Sequence, residues 1–370
     1  MSPGVAGASS PRARVTWLAS HASPYRRPVW QALSRRFDFE AAMLESQEQF
    51  RKHQGNRPAD FHAAAIPGVA LRTVRSLRVE RGRILMYANL GRTMRRGTDA
   101  VILGGWESPA YIWALLSARL RRVRTVAFYE NTLAAIGHSA GPVARVRDWF
   151  FRSCDAVVVP GRAAEAAVLS FGVPAARIHR GFNAVDVSAF AAAALEAPAR
   201  SGGGHRFVFV GQLIDRKRPL ETLEAFALCA SADDELVFVG SGPLAEDLRL
   251  RAESLPRLSV SFVDNVPYDR MPALLADSDT LVLVSNEEVW GLVVNEALAA
   301  GCGAIVSDVC GVAPDVEGME GVEIVDGSVA AVADAMRRRA AAPAGRIVSP
   351  AILTHDPEAF ASVFAEAIEG

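Results

Sequence analysis

Two glutamates, Glu288 and Glu296, stand with seven residues between them in the stretch Ser285–Ile305, S-N-E-E-V-W-G-L-V-V-N-E-A-L-A-A-G-C-G-A-I. The apolar run Asp279–Val284 before it reads as a buried strand. The run L-V-V-N-E-A-L-A-A after Gly291 reads as a helix, with Gly301 placed as a glycine C-cap. Asn286 to Gly291 then form a strand-to-helix turn, and the first amides of the helix, those of Leu292 and Val293, point into it. Free N–H groups and the helix dipole converge there, which suits an anion. Carboxylates beside such a site, one in the turn and one early in the helix, are suited to accept hydrogen bonds from sugar hydroxyls. An ordinary strand–turn–helix unit with two solvated glutamates is the plainer alternative.

Positioning that turn calls for a parallel sheet, and the chain alternates strand and helix. In the first half, residues 14–20, Asp99–Leu103, Thr125–Tyr129 and Ala156–Val159 read as strands; Val29–Arg36, Pro109–Leu120, Arg145–Arg152 and Arg162–Ser170 read as helices. The polar, Arg-rich residues 46–98 read as a mobile or helical excursion, and residues 1–11 as a flexible tail. Residues 190–204, Ala-rich then Gly-rich, read as a linker. The second half opens on the strand Arg206–Val210, continues through Leu236–Val239 and Ser259–Val263, and ends in an amphipathic helix over Asp356–Ile368. These spans give an N-terminal α/β domain over 12–189, a C-terminal one over 205–352, and a terminal helix within 353–370.

Loops at the carboxyl ends of strands face the cleft in doubly wound sheets. The loop His21–Pro28 has no Gly-x-Gly and so is no dinucleotide fingerprint; His21, Tyr25 and Arg26 are its candidate substrate contacts. Trp106, Glu130 and His138 are further candidates on the same side. Gly240-Ser241-Gly242-Pro243-Leu244-Ala245, with Asp264 beyond, mimics an NAD fingerprint. It sits on the second strand of its domain rather than the first, which disfavours that reading.

Glu288-x7-Glu296, with Trp290-Gly291 inside and Glu296-Ala297-Leu298-Ala299-x-Gly301 after it, resembles the signature of family 4 retaining glycosyltransferases. Trp290 stands where that family usually has Phe, and Gly303 where it has Pro. Gly181–Asp186 resembles the family's N-G-V-D segment, with Ala184 for the usual Gly. The resemblance covers roughly residues 205–315; the first domain matches only in its alternation. It implies an α/β GT-B fold: two Rossmann-like, doubly wound domains facing across a cleft, with the last helix crossing back to the first. The implied activity moves a sugar from a nucleotide diphosphate sugar, UDP- or GDP-linked, to an acceptor hydroxyl with retained configuration. No metal and no further cofactor are implied, and the acceptor stays open among glycan, lipid-linked and small-molecule classes.

The resemblance also implies roles. Arg216 and Lys217, in the turn that begins at Gly211, would grip the diphosphate with Gly291 and the amides of Leu292 and Val293. Glu296 would accept from the ribose, and the segment at Val263 would cradle the base. Glu288 would lie at the transferred sugar, as nucleophile or as orienting group. An Arg usually stands where Gln212 is found. The family's first domain often adds a His beside the donor; His21 and His138 are candidates, and Glu130 follows the strand Thr125–Tyr129 instead. A catalytically inactive sugar-nucleotide-binding subunit, another GT-B enzyme such as a sugar phosphorylase, and an NAD-dependent oxidoreductase are the rival readings.

At 370 residues, half hydrophobic and 22% charged, the chain suits two soluble globular domains. Cys154, Cys229, Cys302 and Cys310 lack C-x-x-C spacing and read as reduced structural thiols. No run approaches the ~18 apolar residues of a membrane span, and the opening residues lack a signal-peptide pattern. A cytoplasmic protein, or one peripheral to the inner face of a membrane, is expected. The net charge of −1 hides a split: residues 1–180 carry 27 Arg and Lys against 12 Asp and Glu, and residues 181–370 carry 13 against 29. A solvated Arg-rich surface, or pairing across to the acidic half, accounts for this; so does attraction to an anionic membrane or a lipid-diphosphate acceptor. Nucleic acid has no motif in its favour.

Overall fold

The computed structural model describes residues 12–45, 65–81, 84–89, 92–198, 203–342, 345–347 and 350–370. The tail expected at 1–11, much of the excursion at 46–98 and the middle of the linker at 190–204 lie outside them.

Seven parallel strands build the first sheet: β1 (Arg14–Ala19), β2 (Asp38–Met43), β3 (Ala70–Thr73), β6 (Ala100–Leu103), β7 (Arg124–Phe128), β8 (Ala156–Val159) and β9 (Ile178–Arg180). Between β3 and β6 the chain makes an antiparallel hairpin of β4 (Ser76–Arg81) and β5 (Ile84–Asn89). The order in the sheet is β3-β2-β1-β6-β7-β8-β9. Six parallel strands build the second sheet: β10 (Arg206–Val210), β11 (Glu235–Val239), β12 (Ser259–Val263), β13 (Thr280–Leu283), β14 (Gly303–Ser307) and β15 (Val322–Val325). Their order is β12-β11-β10-β13-β14-β15. Both sheets are doubly wound, with the order reversing beside the first strand of each. That reversal leaves a crevice at the carboxyl ends of β1 and β6 in one sheet, and of β10 and β13 in the other. The two-domain α/β architecture expected from the sequence is therefore present.

The central strands are buried on both faces because helices cover both, while the edge strands β3, β9, β12 and β15 stay partly exposed. Val15 and Trp17 of β1 face helices Arg27–Arg36 and Pro357–Glu369, while Leu18 faces helix Pro109–Leu120. Proline in the first turn starts these helices, where its missing N–H costs nothing. Helix 357–369 is capped by Asp356, whose carboxylate accepts from the amide of Ala359 at 2.7 Å. It lies on the first sheet: Phe364 packs 4.7 Å from Trp17 and 5.4 Å from Phe128, ring centre to ring centre, and the Ala367 carbonyl accepts from Arg124 Nε at 2.8 Å.

Three local expectations change. The described part of 46–98 is β-structure rather than helix. β2 carries no strand signal in the sequence because D-F-E-A-A-M has an acid at its centre. That acid, Glu40, is buried and paired with Arg72 at 2.9 Å, so tertiary contacts override the local signal. The Ala-rich start of the linker is helical, Val187–Glu196, capped by Asp186. Phe190 of this helix is buried in the core of the second domain. Alanine is the best helix former, and a buried face was enough to fix the helix. No helix among the described residues is long and apolar enough to cross a membrane.

Candidate functional site

The crevice of the second sheet is lined by the turns that leave β10 and β13, and these two turns are tied together. The amide of Asn286 donates to the Arg216 carbonyl at 2.9 Å, and Arg216 Nη1 donates to the Glu287 carbonyl at 2.8 Å. Lys217 Nζ forms an ion pair with the Glu288 carboxylate. Both partners are largely buried, so this pair is little screened by solvent. Gly291 closes the turn at φ +100°, a left-handed conformation. A Cβ there would lie 2.7 Å from Leu283 Cδ2, so only glycine brings helix Leu292–Ala299 to start at this point. From below, the amides of Gly311 and Val312 donate to the carbonyls of Glu288 and Trp290 at 3.0 and 3.1 Å.

Glu296 sits one turn into that helix, 4% exposed. Burial pushes its carboxyl up to about 8, and a hydrogen bond from Tyr268 holds it partly down. Its Oε1 is buried and makes no hydrogen bond among the described residues. Such an atom costs free energy until a donor reaches it. The Tyr268 hydroxyl is raised in turn, first by burial and then by the charge of Glu296.

A cavity of about 530 Å³ joins these groups to the first domain. Lys217, Arg216, Glu288, the helix start at Leu292 and Val293, and Glu296 line it from the second domain; Tyr25, Glu130 and Asn183 line it from the other side. Tyr25 meets Tyr268 edge-on across the cleft, centroids 6.0 Å apart. The Asn183 carbonyl accepts from Asn295 Nδ2 at 2.6 Å, and Asn295 Oδ1 accepts from Trp290 Nε1 at 3.0 Å. Trp290 thus anchors the β13 turn to the segment that passes between the domains, which explains why an indole serves where Phe was expected.

Of the residues expected from the sequence, Gly211, Arg216, Lys217, Glu288, Gly291, Leu292, Val293, Glu296, Tyr25 and Glu130 come together on this cavity. Arg26 lies behind it, ion-paired with Glu130 and stacked 4.4 Å over the Phe128 ring. Val263 ends β12, where its carbonyl accepts from the Gly240 amide at 2.9 Å; its neighbours Asn265 and Val266 reach the cavity instead. Trp106 packs against the first-domain core. His21 Nδ1 bonds Ser20 Oγ at 3.1 Å, and His138 is exposed; neither lines the cavity. Tyr268 and Asn183 were not singled out as site residues. Tyr268 follows the third strand of its domain, whose carboxyl end faces the crevice, and that position was the available signal.

The Gly240–Ala245 turn has a structural use. A Cβ on Gly240, at φ +136°, would lie 2.0 Å from the Gly211 carbonyl oxygen, and the Leu213 amide donates to the Ser241 carbonyl at 3.0 Å. The glycines let this turn pack on the β10 turn, backbone against backbone, and Gly240 to Pro243 line the same cavity as the β10 and β13 turns.

Known proteins resemble this chain in sequence and in fold. The family described as Glycosyl transferases group 1 matches residues 194–341, and Glycosyltransferase Family 4 matches residues 49–189. A GDP-mannose-dependent alpha-mannosyltransferase of Mycobacterium tuberculosis is 30% identical over 217 residues, 55% of this chain and 54% of that protein. A GDP-mannose-dependent alpha-(1-6)-phosphatidylinositol dimannoside mannosyltransferase of the same species is 34% identical over 102 residues, 27% of this chain and 26% of that protein. The chain thus spans about half the length of the first of these relatives and about a quarter of the second. In fold, the Anabaena protein HepE, solved with UDP and glucose, superposes with a TM-score of 0.66 at 15% identity, covering 97% of this chain and 100% of that one.

Proposed function

The chain belongs to the group 1, family 4 glycosyltransferases, and from that premise we propose that it transfers a sugar from a nucleotide diphosphate sugar to an acceptor hydroxyl. The observation that carries this is the second-sheet crevice. There an ammonium, a guanidinium and a helix N-terminus converge on one side, and the unpartnered Oε1 of buried Glu296 on the other. The cations and amides suit a diphosphate whose negative charge grows as the glycosidic bond breaks. Glu296 suits a ribose diol.

The transfer retains configuration in this reading. Glu288 is already paired with Lys217, and a carboxylate held by an ammonium is a poor nucleophile but a good orienting group. The acceptor then attacks on the face the diphosphate leaves, and the departing phosphate takes its proton. Neither a metal nor a further cofactor enters the scheme, because Arg216, Lys217 and the amides of Leu292 and Val293 supply the charge stabilisation. GDP-mannose is the first donor to test, since it is the donor of both curated relatives, with UDP-sugars second. The acceptor is a glycan or a lipid-linked sugar, taken from the Tyr25 and Glu130 side, at an anionic membrane that the basic first half contacts.

Thermal shift tests this. GDP, UDP, ADP and dTDP, and their common sugar conjugates, are added with a chelator to the wild type and to Glu296→Ala. A ligand at ~100 times its dissociation constant stabilises by roughly 2.7 kcal/mol. One nucleotide family shifting the wild type and losing its effect in the variant is expected. Stabilisation by NAD(H) alone overturns the reading.

A further inference from the structure

The outer layer of the first domain presents apolar side chains that stay exposed among the described residues. Helix Pro109–Leu120 buries Ala110, Ala114, Leu115 and Ala118, and turns Trp113, Leu116 and Leu120 outward; Trp113 is 59% and Leu120 88% exposed. Helix Pro142–Ser153 buries Phe150 and Phe151, and turns Val143, Val146 and Trp149 outward. The spacings are those of single helix faces, three and four residues apart. Both helices cover the same side of the sheet, and Arg119 Nη1 donates to the Ser153 carbonyl at 3.4 Å between their C-terminal ends. Two neighbouring helices with solvent-facing apolar stripes, each bearing a tryptophan, mark an interaction surface rather than scattered exposure.

The surroundings of the stripes are cationic. Arg119, Arg121, Arg122, Arg145, Arg152 and Arg177 are exposed, and none has an ion-pair partner among the described residues. The acids of residues 108–180 are already engaged: Glu130 by Arg26, Asp148 by Arg147, Asp155 by Thr125 and Glu165 by Arg180. Where the two helices end, Arg119, Arg124, Arg152, Arg177 and His179 line a second cavity of about 530 Å³, in which Asp155 and Gly370 also take part, so its cations outnumber its acids without being alone. Burial lowers the His179 imidazole, so the arginines supply the positive charge.

We propose that this face docks the protein on a bilayer containing anionic phospholipid. The tryptophans and leucines enter the interfacial layer, the arginines meet lipid phosphates, and the cavity receives one headgroup phosphate. Tryptophan beside arginine is the pairing the membrane interface favours, with an apolar body in the acyl boundary and charge at the headgroups. A nucleic acid would leave the aliphatic stripe unsatisfied. The helices run back from the carboxyl ends of the strands, so their basic ends and the cavity lie away from the cleft. Docking there leaves the cleft open. The proposal deepens the membrane contact assigned above to the basic first half and does not depend on which sugar is moved.

Vesicle co-sedimentation of the full chain tests it, using phosphatidylcholine alone against phosphatidylcholine mixed with phosphatidylglycerol at low salt. Binding to the mixed vesicles only, falling as salt rises, is expected. Trp113→Ser with Trp149→Ser should weaken partitioning at least about ten-fold. Arg119→Gln with Arg152→Gln and Arg177→Gln should cost roughly five-fold per arginine. In both variants the thermal shift by the donor nucleotide should be unchanged; its loss from the wild type would instead strike the transfer reading. The proposal is overturned by absent binding, by equal binding to neutral vesicles, or by binding indifferent to both variants. It is also overturned if Trp113→Ser abolishes a self-association seen without lipid, if duplex DNA competes the vesicles off, or if inorganic phosphate alone does.

Discussion

The two walls of the cleft present their chemistry by different means. On the second domain the groups are carried by backbone and by one helix start. The β10 and β13 turns are bonded to each other through main-chain atoms, and the Gly240 turn locks onto the first of them. On the first domain the cleft is lined by side chains from three separate loops: Tyr25, Glu130 and Asn183. These are held by one another, Arg26 to Glu130 and Asn183 Nδ2 to Glu130 Oε1 at 3.3 Å. The second-domain wall follows from strand order alone, because any doubly wound sheet opens a crevice at its reversal. The first-domain wall is a set of side chains that could be exchanged without disturbing the sheet. A donor grip built the first way and an acceptor site built the second way would let one scaffold keep its donor chemistry while its acceptors change.

The largest effects should come from the second-domain wall. Glu288→Gln and Lys217→Met each remove half of a largely buried ion pair in the second-sheet crevice, where the proposed transfer takes place. Each is expected to lower kcat by about 10²–10³, the scale of losing one preorganised electrostatic group, with a melting temperature close to wild type. A variant that melts early would place the pair in the fold rather than in the reaction. Glu130→Gln should behave differently, since it keeps the shape of the Arg26–Asn183 cluster and removes only its charge. A roughly ten-fold fall in kcat/KM for the acceptor, with donor KM unchanged, keeps the walls separate. A rise in donor KM would break the comparison.

Glu296 gives a smaller effect with a definite sign. Its carboxyl is raised from 4.5 to about 8 in the folded protein by burial. Below pH 4.5 it is protonated folded and unfolded alike. Between 4.5 and about 8 the unfolded chain gives up a proton that the folded chain keeps, so stability falls as pH rises, by up to about 1.4 kcal/mol per pH unit. Above about 8 the loss is complete. Urea melts of the wild type and Glu296→Gln should therefore diverge through that window, with the variant gaining. Saturating donor should flatten the wild-type slope, because hydroxyls donating to the carboxylate favour its charged form. A slope that donor leaves untouched would remove Glu296 from the ribose site.

The same contrast sets what the sequence could show. The strand 280–283, its turn and the helix from Leu292 are local, and glycine at 291 and 301 punctuates them, so the second wall was legible before any coordinate. The first wall was not, because its cluster spans residues 26, 130 and 183, which only the sheet order brings together. Arg26 illustrates the difference: its place in the loop was readable, but its partners, Glu130 and the Phe128 face, were not. β2 failed for the converse reason, since a buried Glu40 is tolerable only once Arg72 is known to reach it from the next strand. Asn295 carries no signal of its own inside the signature. Its role, holding Trp290 and Asn183 at once, exists only between domains.

The histidines supply the smallest effect and the sharpest test of the first wall. A first-domain histidine beside the donor was expected from the family, with His138 as one candidate. In the fold His138 is exposed, and its carbonyl, not its ring, is what the protein uses, accepting from Arg147 Nη1 at 2.8 Å. Arg147 is itself buried, stacked 4.0 Å over the Phe171 ring. That contact pins the backbone of the 131–141 loop and leaves the imidazole free to be replaced. His138→Ala should change kcat and both KM values by less than about two-fold, as surface substitutions away from a site do. Thr132, in the same loop, packs against the segment below Glu288: a Cβ on Gly311 would sit 3.2 Å from its methyl. A loop already seated there has little distance to travel. If His138→Ala nonetheless lowers kcat ten-fold, the loop must carry the imidazole into the cleft when donor binds. The first wall would then be completed by the donor rather than standing ready before it.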